Sequence, residues 1–181
     1  MRTIFSCFVL SCSFLLFMQT DASAQTFPAL DKSPADIAYY RVNKKPVAKV
    51  IYSRPQMKER EIFGKLVPYD KIWRTGANEC TEIQFYQDVI LGDREVAAGT
   101  YALFSIPGQK KWTLILNKGT DQWGSYGYDP AEDVVRVEAT TGNLEDAVEA
   151  FSIIFEETED LGSKMIFAWD RTMASVPIKV K

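Results

Sequence analysis

Apolar positions along this chain recur mostly at every second residue, in short runs separated by Gly, Pro, Asn and Asp, which is the rhythm of half-buried β-strands. Residues 36–42, rich in Ile37, Tyr39, Tyr40 and Val42, and residues 47–53 predict a hairpin around Asn43-Lys44-Lys45-Pro46. Thr81, Ile83 and Phe85 share one strand face, with Glu82, Gln84 and Tyr86 on the other. Residues 101–106 and 112–116 are apolar on both faces and flank Pro107-Gly108-Gln109-Lys110, so they read as a central hairpin covered on both sides. Val135, Val137 and Ala139 alternate with Arg136 and Glu138, and Phe151, Ile153 and Phe155 form a separate strand face. Val176, Ile178 and Val180 alternate with Pro177, which places that proline on an edge strand or at a strand's margin.

Departures from this rhythm are few. Residues 56–65 suit a single helical turn with Phe63 inward and Gly64 closing it, and residues 143–150 suit a second, capped by Asn143. Residues 118–128 form a long loop dense in Gly and aromatics, and residues 170–173 read as a turn. The pattern predicts an all-β, antiparallel β-sandwich of jelly-roll-like type, with about nine or ten short strands and no long helix. Residues 35–181 form its single domain, preceded by an extended, proline-containing arm over residues 25–34.

The first residues have a different character. Arg2, the apolar run from Ile4 to Met18 and the small-x-small string Ala22-Ser23-Ala24 predict that residues 1–24 are a signal peptide cleaved after Ala24. The expected location is therefore periplasmic or secreted, with no stable membrane insertion once the signal is gone. Cleavage removes Cys7 and Cys12 and leaves Cys80 without a disulfide partner. The formal charge of −3, with no basic cluster along the chain, argues against nucleic acid as a partner.

Chemistry is constrained most by the count of histidines, which is 0. Ser-His and Cys-His nucleophile pairs are excluded, as is the commonest zinc ligand. Asp129-Pro130-Ala131-Glu132-Asp133 lacks EF-hand spacing and its glycine, so neither metal nor cofactor is implied.

The densest polar stretch is Trp73-Arg74-Thr75-Gly76-Ala77-Asn78-Glu79. Arg74 suits a carboxylate or phosphate, Thr75 and Asn78 suit hydrogen bonding to a polar ligand, and Trp73 suits a pocket wall. Arg54 and Arg60 extend this into a cationic rim, and Trp123 offers a flat ring for a sugar face. The same residues also suit a purely structural loop, with Trp73 in the core and Asn78 satisfying a turn. The candidate ligand site is thus Arg54, Trp73, Arg74, Thr75, Asn78, Glu79 and Trp123, gathered at one sandwich end. The function read from it is a binding or accessory module for a small polar or glycan-like ligand. The alternatives are a hydrolase of envelope glycans using carboxylates such as Glu79 and Asp133, and a structural partner in an envelope assembly.

The Trp73–Asn78 string resembles a bacterial family catalogued as domain of unknown function 2911. The likeness extends to Tyr52-Ser53-Arg54-Pro55, Arg60, Ile62-Phe63-Gly64, Leu66-Val67-Pro68-Tyr69, Ala98-Gly99-Thr100-Tyr101, Ile106-Pro107-Gly108, Trp112, Leu116-Asn117-Lys118, Trp123-Gly124 and Tyr128. The resemblance implies export from Gram-negative cells and a small β-rich domain. It transfers no reaction and no catalytic residue.

Overall fold

The computed structural model describes residues 25–159 and 162–181, so the signal peptide expected over residues 1–24 lies outside the described residues. Among the described residues, nine antiparallel strands form one hydrogen-bonded sheet. They are β1 (Ala35–Val42), β2 (Lys45–Ser53), β3 (Glu82–Phe85), β4 (Val89–Leu91), β5 (Arg94–Val96), β6 (Gly99–Pro107), β7 (Lys111–Asn117), β8 (Asp133–Glu157) and β9 (Ser163–Val180). The spatial order is β1-β2-β3-β6-β7-β8-β9-β4-β5. A short 3-10 turn, Pro130–Glu132, is capped by the Asp129 carboxylate.

The first hairpin turns on Asn43 and Lys44, both at positive φ, which suits the twist of a tight β-hairpin. The central hairpin β6–β7 is buried along nearly all its length, as its unbroken apolar run requires. The β4–β5 hairpin is carried across to pair with the end of β9. Pro177 lies just beyond the last β8–β9 pair, Thr140 with Ser175, so its missing N–H breaks no ladder bond there.

Three local expectations are corrected. Residues 143–150 are not helical but belong to β8, and residues 170–173 are not a turn but belong to β9. The two alternating segments on either side of residue 143 are therefore one strand of 25 residues. Its ladder with β9 slips between Asn143 and Val148 and again between Val148 and Ser152. These slips disturb the two-residue period where the chain bends, which is why Asn143, Glu145 and Asp146 imitate a helix start. Residues 56–65 hold no helix either; they form turns closed by the Phe63–Val67 bridge, with Gly64 at φ +92 against the Tyr69 ring.

Bending of β8 brings its second half onto β1 and β2. Tyr40 stacks on Phe155 at 5.9 Å between ring centroids. The Tyr52 hydroxyl accepts from Ile153 N at 3.0 Å. Arg54 donates from Nε to the Phe151 carbonyl, from one terminal nitrogen to Asp36 and from the other to Ser152 Oγ. Between the folded faces sits an aromatic core in which Trp73 touches the rings of Phe63, Trp112, Phe151 and Trp169 at 5.1–6.1 Å.

Trp73 is only 7% exposed and donates its indole N–H to the Gly76 carbonyl. Truncation of a buried aromatic typically costs about 3–5 kcal/mol. Trp73→Ala is therefore expected to lower unfolding stability by about that amount in urea titrations, and a loss below ~1 kcal/mol would contradict a central packing role.

Candidate functional site

Trp73 enters the core because its backbone is fixed on both sides of the residue by β6. Trp73 N donates to Ser105 O at 2.8 Å, and Ser105 N donates to Trp73 O at 2.9 Å. Beyond it the chain turns over the end of β2. A side chain at Gly76 would meet Ser53 O and Thr81 Oγ1 at 3.0 Å, so glycine allows this approach without displacing either. Thr75, fully buried at positive φ, donates to Ser105 Oγ at 2.9 Å, and Thr81 Oγ1 donates to the Thr75 carbonyl at 2.7 Å. Thr75 is thereby a structural staple, turned away from solvent.

Arg54 is also committed to the fold, since all three of its nitrogens have protein acceptors. Asn78 has a joining role. It sits at φ +57, and its amide donates to the Asp31 carboxylate at 3.0 Å and more weakly to Ser33 O at 3.5 Å. The extended arm is thus clasped against the Trp73 loop. On the other side, the Asn78 carbonyl accepts from Gly124 N, and Cys80 N donates to Gln122 O. The aromatic loop over residues 118–128 is docked there.

One hollow of about 410 Å³ lies under this clasp. Trp73 and Trp169, together with Leu66, Val67, Pro68 and Ile72, supply apolar wall. Lys32, Lys58, Arg60, Lys71 and Arg74 supply the charge, and no carboxylate among the described residues lines it. The sequence shows no basic cluster because these residues come from three separate segments. Arg60 and Arg74 belong to the rim expected from sequence, whereas Arg54 does not; Lys32, Lys58, Lys71 and Trp169 carry no signal that singles them out along the chain.

Arg74 is half-buried, and its Nε is buried without a hydrogen-bond partner. Its terminal nitrogens likewise make no hydrogen bond or ion pair among the described residues, where the ion pairs are Arg54–Asp36, Lys111–Glu138, Arg136–Asp133 and Lys181–Glu95. A buried donor left unsatisfied costs about 1–3 kcal/mol. Arg74 thus keeps its charge without a protein acceptor among the described residues, with one terminal nitrogen beside Gly124 of the aromatic loop.

Glu79 and Trp123 lie elsewhere. They are bridged to each other, and Trp123 is 61% exposed. Glu79 lines a separate hollow of about 300 Å³ with Cys80, Glu82 and Asp121. Asp133 is absent from that lining, and its carboxylate already accepts from Asn117, Tyr128 and Arg136. Among the described residues no group of three or more acids or cysteines is placed to hold a metal ion.

A strand-rich single sheet carrying a loop-built, cation-lined hollow defines a β-rich scaffold. The family description "Protein of unknown function (DUF2911)" matches residues 33–178, and the chain belongs to that family. No curated protein and no solved structure matches the chain.

The clasp and the thiol each lead to a measurable outcome. The Asp31 carboxyl is held below the ordinary aspartate value, first by the Ser33 backbone N–H and then by the Asn78 amide. The clasp therefore contributes above the ordinary aspartate range and is lost as pH falls below it. The Asn78 side-chain amide resonances are expected to shift in that acid range, and Asp31→Asn is expected to abolish the shift. Burial, ahead of the charge of Glu82, pushes the Cys80 thiol up to about 12. Cys80 is thus expected to resist iodoacetamide at pH ~8 in the folded protein and to react once denatured, as judged by intact mass.

Proposed function

We propose that this protein is an exported binding or accessory module for a small polar ligand, held in the hollow beneath the Trp73 loop. The observation that carries the reading is Arg74, a guanidinium at the hollow with no protein partner among the described residues. The volume of about 410 Å³ falls within the usual range for small-molecule sites, and the aromatic wall suits an organic ligand with one apolar face. Export to the periplasm or beyond is supported by the sequence of residues 1–24.

Hydrolysis by paired carboxylates is less well supported, because Asp133 is consumed by its hydrogen bonds and shares no lining with Glu79. A structural partner role draws on Ile37 and Ile51, which face each other across β1 and β2 and are exposed. The register shift beside Arg41 and the charges of Asp36 and Arg41 along that edge weigh against strand addition.

Screening polar metabolites by thermal unfolding tests the reading. A ligand present at 100 times its dissociation constant stabilises by about 2.7 kcal/mol, which raises the melting temperature by roughly 5–10 °C in a domain of this size. The shift is expected to disappear in Lys71→Glu, whose side chain is exposed. A shift retained in that variant would move the binding site elsewhere.

A further inference from the structure

The charge pattern of the hollow narrows its ligand class. Lys32, Lys58, Arg60, Lys71 and Arg74 converge on it, although the chain as a whole has a formal charge of −3. The cluster is therefore local. None of these side chains forms an ion pair among the described residues.

Two nearby carboxylates, Glu149 and Asp31, close no ion pair with the cluster, although the charge of Asp31 is felt by Lys32. Glu149 accepts from the backbone N–H of Lys58, and Asp31 accepts from Ser33 N and the Asn78 amide. Arg60 spends Nε on Met57 O and one terminal nitrogen on Gln56 O, which fixes its head near the opening. Arg74 is half-buried, and the hollow it lines also has apolar wall from Trp73, Ile72 and Val67, which lowers the local dielectric and strengthens any charge contact. Like charges gathered at one concave surface repel one another and focus a positive potential, which an entering anion relieves.

We propose that the ligand is a small, multiply charged oxyanion, a phosphate ester or a polycarboxylate, with Arg74 as its inner fork and Lys58, Arg60 and Lys71 at the mouth. This rests on the reading of the hollow as a binding site. A neutral sugar would satisfy the hydrogen-bonding capacity of Arg74 and leave the surrounding cations unneutralised. A doubly or triply charged oxyanion satisfies both, because its several oxygens accept from the guanidinium fork while its charge offsets the lysines.

Isothermal titration of the full protein with inorganic phosphate, citrate and maltose at constant ionic strength tests this. Phosphate or citrate is expected to bind, with affinity falling as NaCl rises. Preference between the two identifies the ester or the carboxylate source. Arg74→Gln is expected to weaken binding about tenfold or more, and Lys71→Gln about threefold. Should Arg74→Gln fail to fold, the Lys58→Gln, Lys71→Gln double variant of exposed residues carries the same test.

Maltose binding without anion binding would overturn the ligand class and leave the binding-module reading standing. Anion binding unaffected by any of these substitutions would place the anion outside the hollow and overturn the proposal. No binding by any probe, with the unsubstituted protein melting identically in phosphate, citrate, maltose and chloride, would end both readings.

Discussion

The packing of one indole organises this molecule. Trp73 lies among Phe63, Trp112, Phe151 and Trp169, which come from the loop after β2 and from β7, β8 and β9, so a single side chain joins elements far apart in the chain. Its position is set by the paired backbone bonds to Ser105 and by the indole bond to Gly76, so neither rotation nor sliding is open to it. Aromatic groups of this kind bury large areas and prefer the edge-to-face contacts seen with Phe63, Trp112 and Phe151. With no disulfide to constrain the described chain, such packing is the main source of its cohesion.

The same anchorage explains why polar residues next to Trp73 divide into two kinds. Thr75 faces β6 and is consumed by the fold, and Asn78 is consumed by the arm and the aromatic loop. Arg74, between Trp73 and Thr75, is left over. Its neighbours have found partners in the protein, whereas its Nε is buried with no acceptor among the described residues. The distinction between a residue spent on the fold and one left without a protein acceptor is here a matter of a single position, where the chain begins to turn.

Alternation made most of the sheet legible from sequence. Ile83 and Phe85, Val135 and Val137, and Phe151 and Ile153 are buried where the two-residue period places them. The continuity of β8 was hidden because Gly142, Asn143 and the acids after them interrupt the period just where the ladder slips. The site was half legible. Trp73 and Arg74 announce themselves by residue type and local density, and Arg60 by its charge. Lys32, Lys58 and Lys71 are ordinary surface lysines until the arm and two loops converge, and no local pattern encodes that meeting. Arg54 was misleading because a guanidinium advertises the same chemistry whether its acceptors are the protein's own or a guest's.

The slipped ladder of β8 has one more bearing. Between Val148 and Ser152 the strand withholds backbone groups from β9, and these are taken up by the segment after β2: Phe151 N donates to Pro55 O, and the Glu149 carbonyl accepts from Met57 N. The irregularity acts as a socket into which the base of residues 55–58 plugs, whatever the chemistry of the side chains further out. The exposed side chains of Lys58 and Arg60 lie outside that socket and can change in character without unpicking the sheet. The charge carried at the rim of the hollow is thereby separable from the backbone pairing that fastens this segment to the sheet.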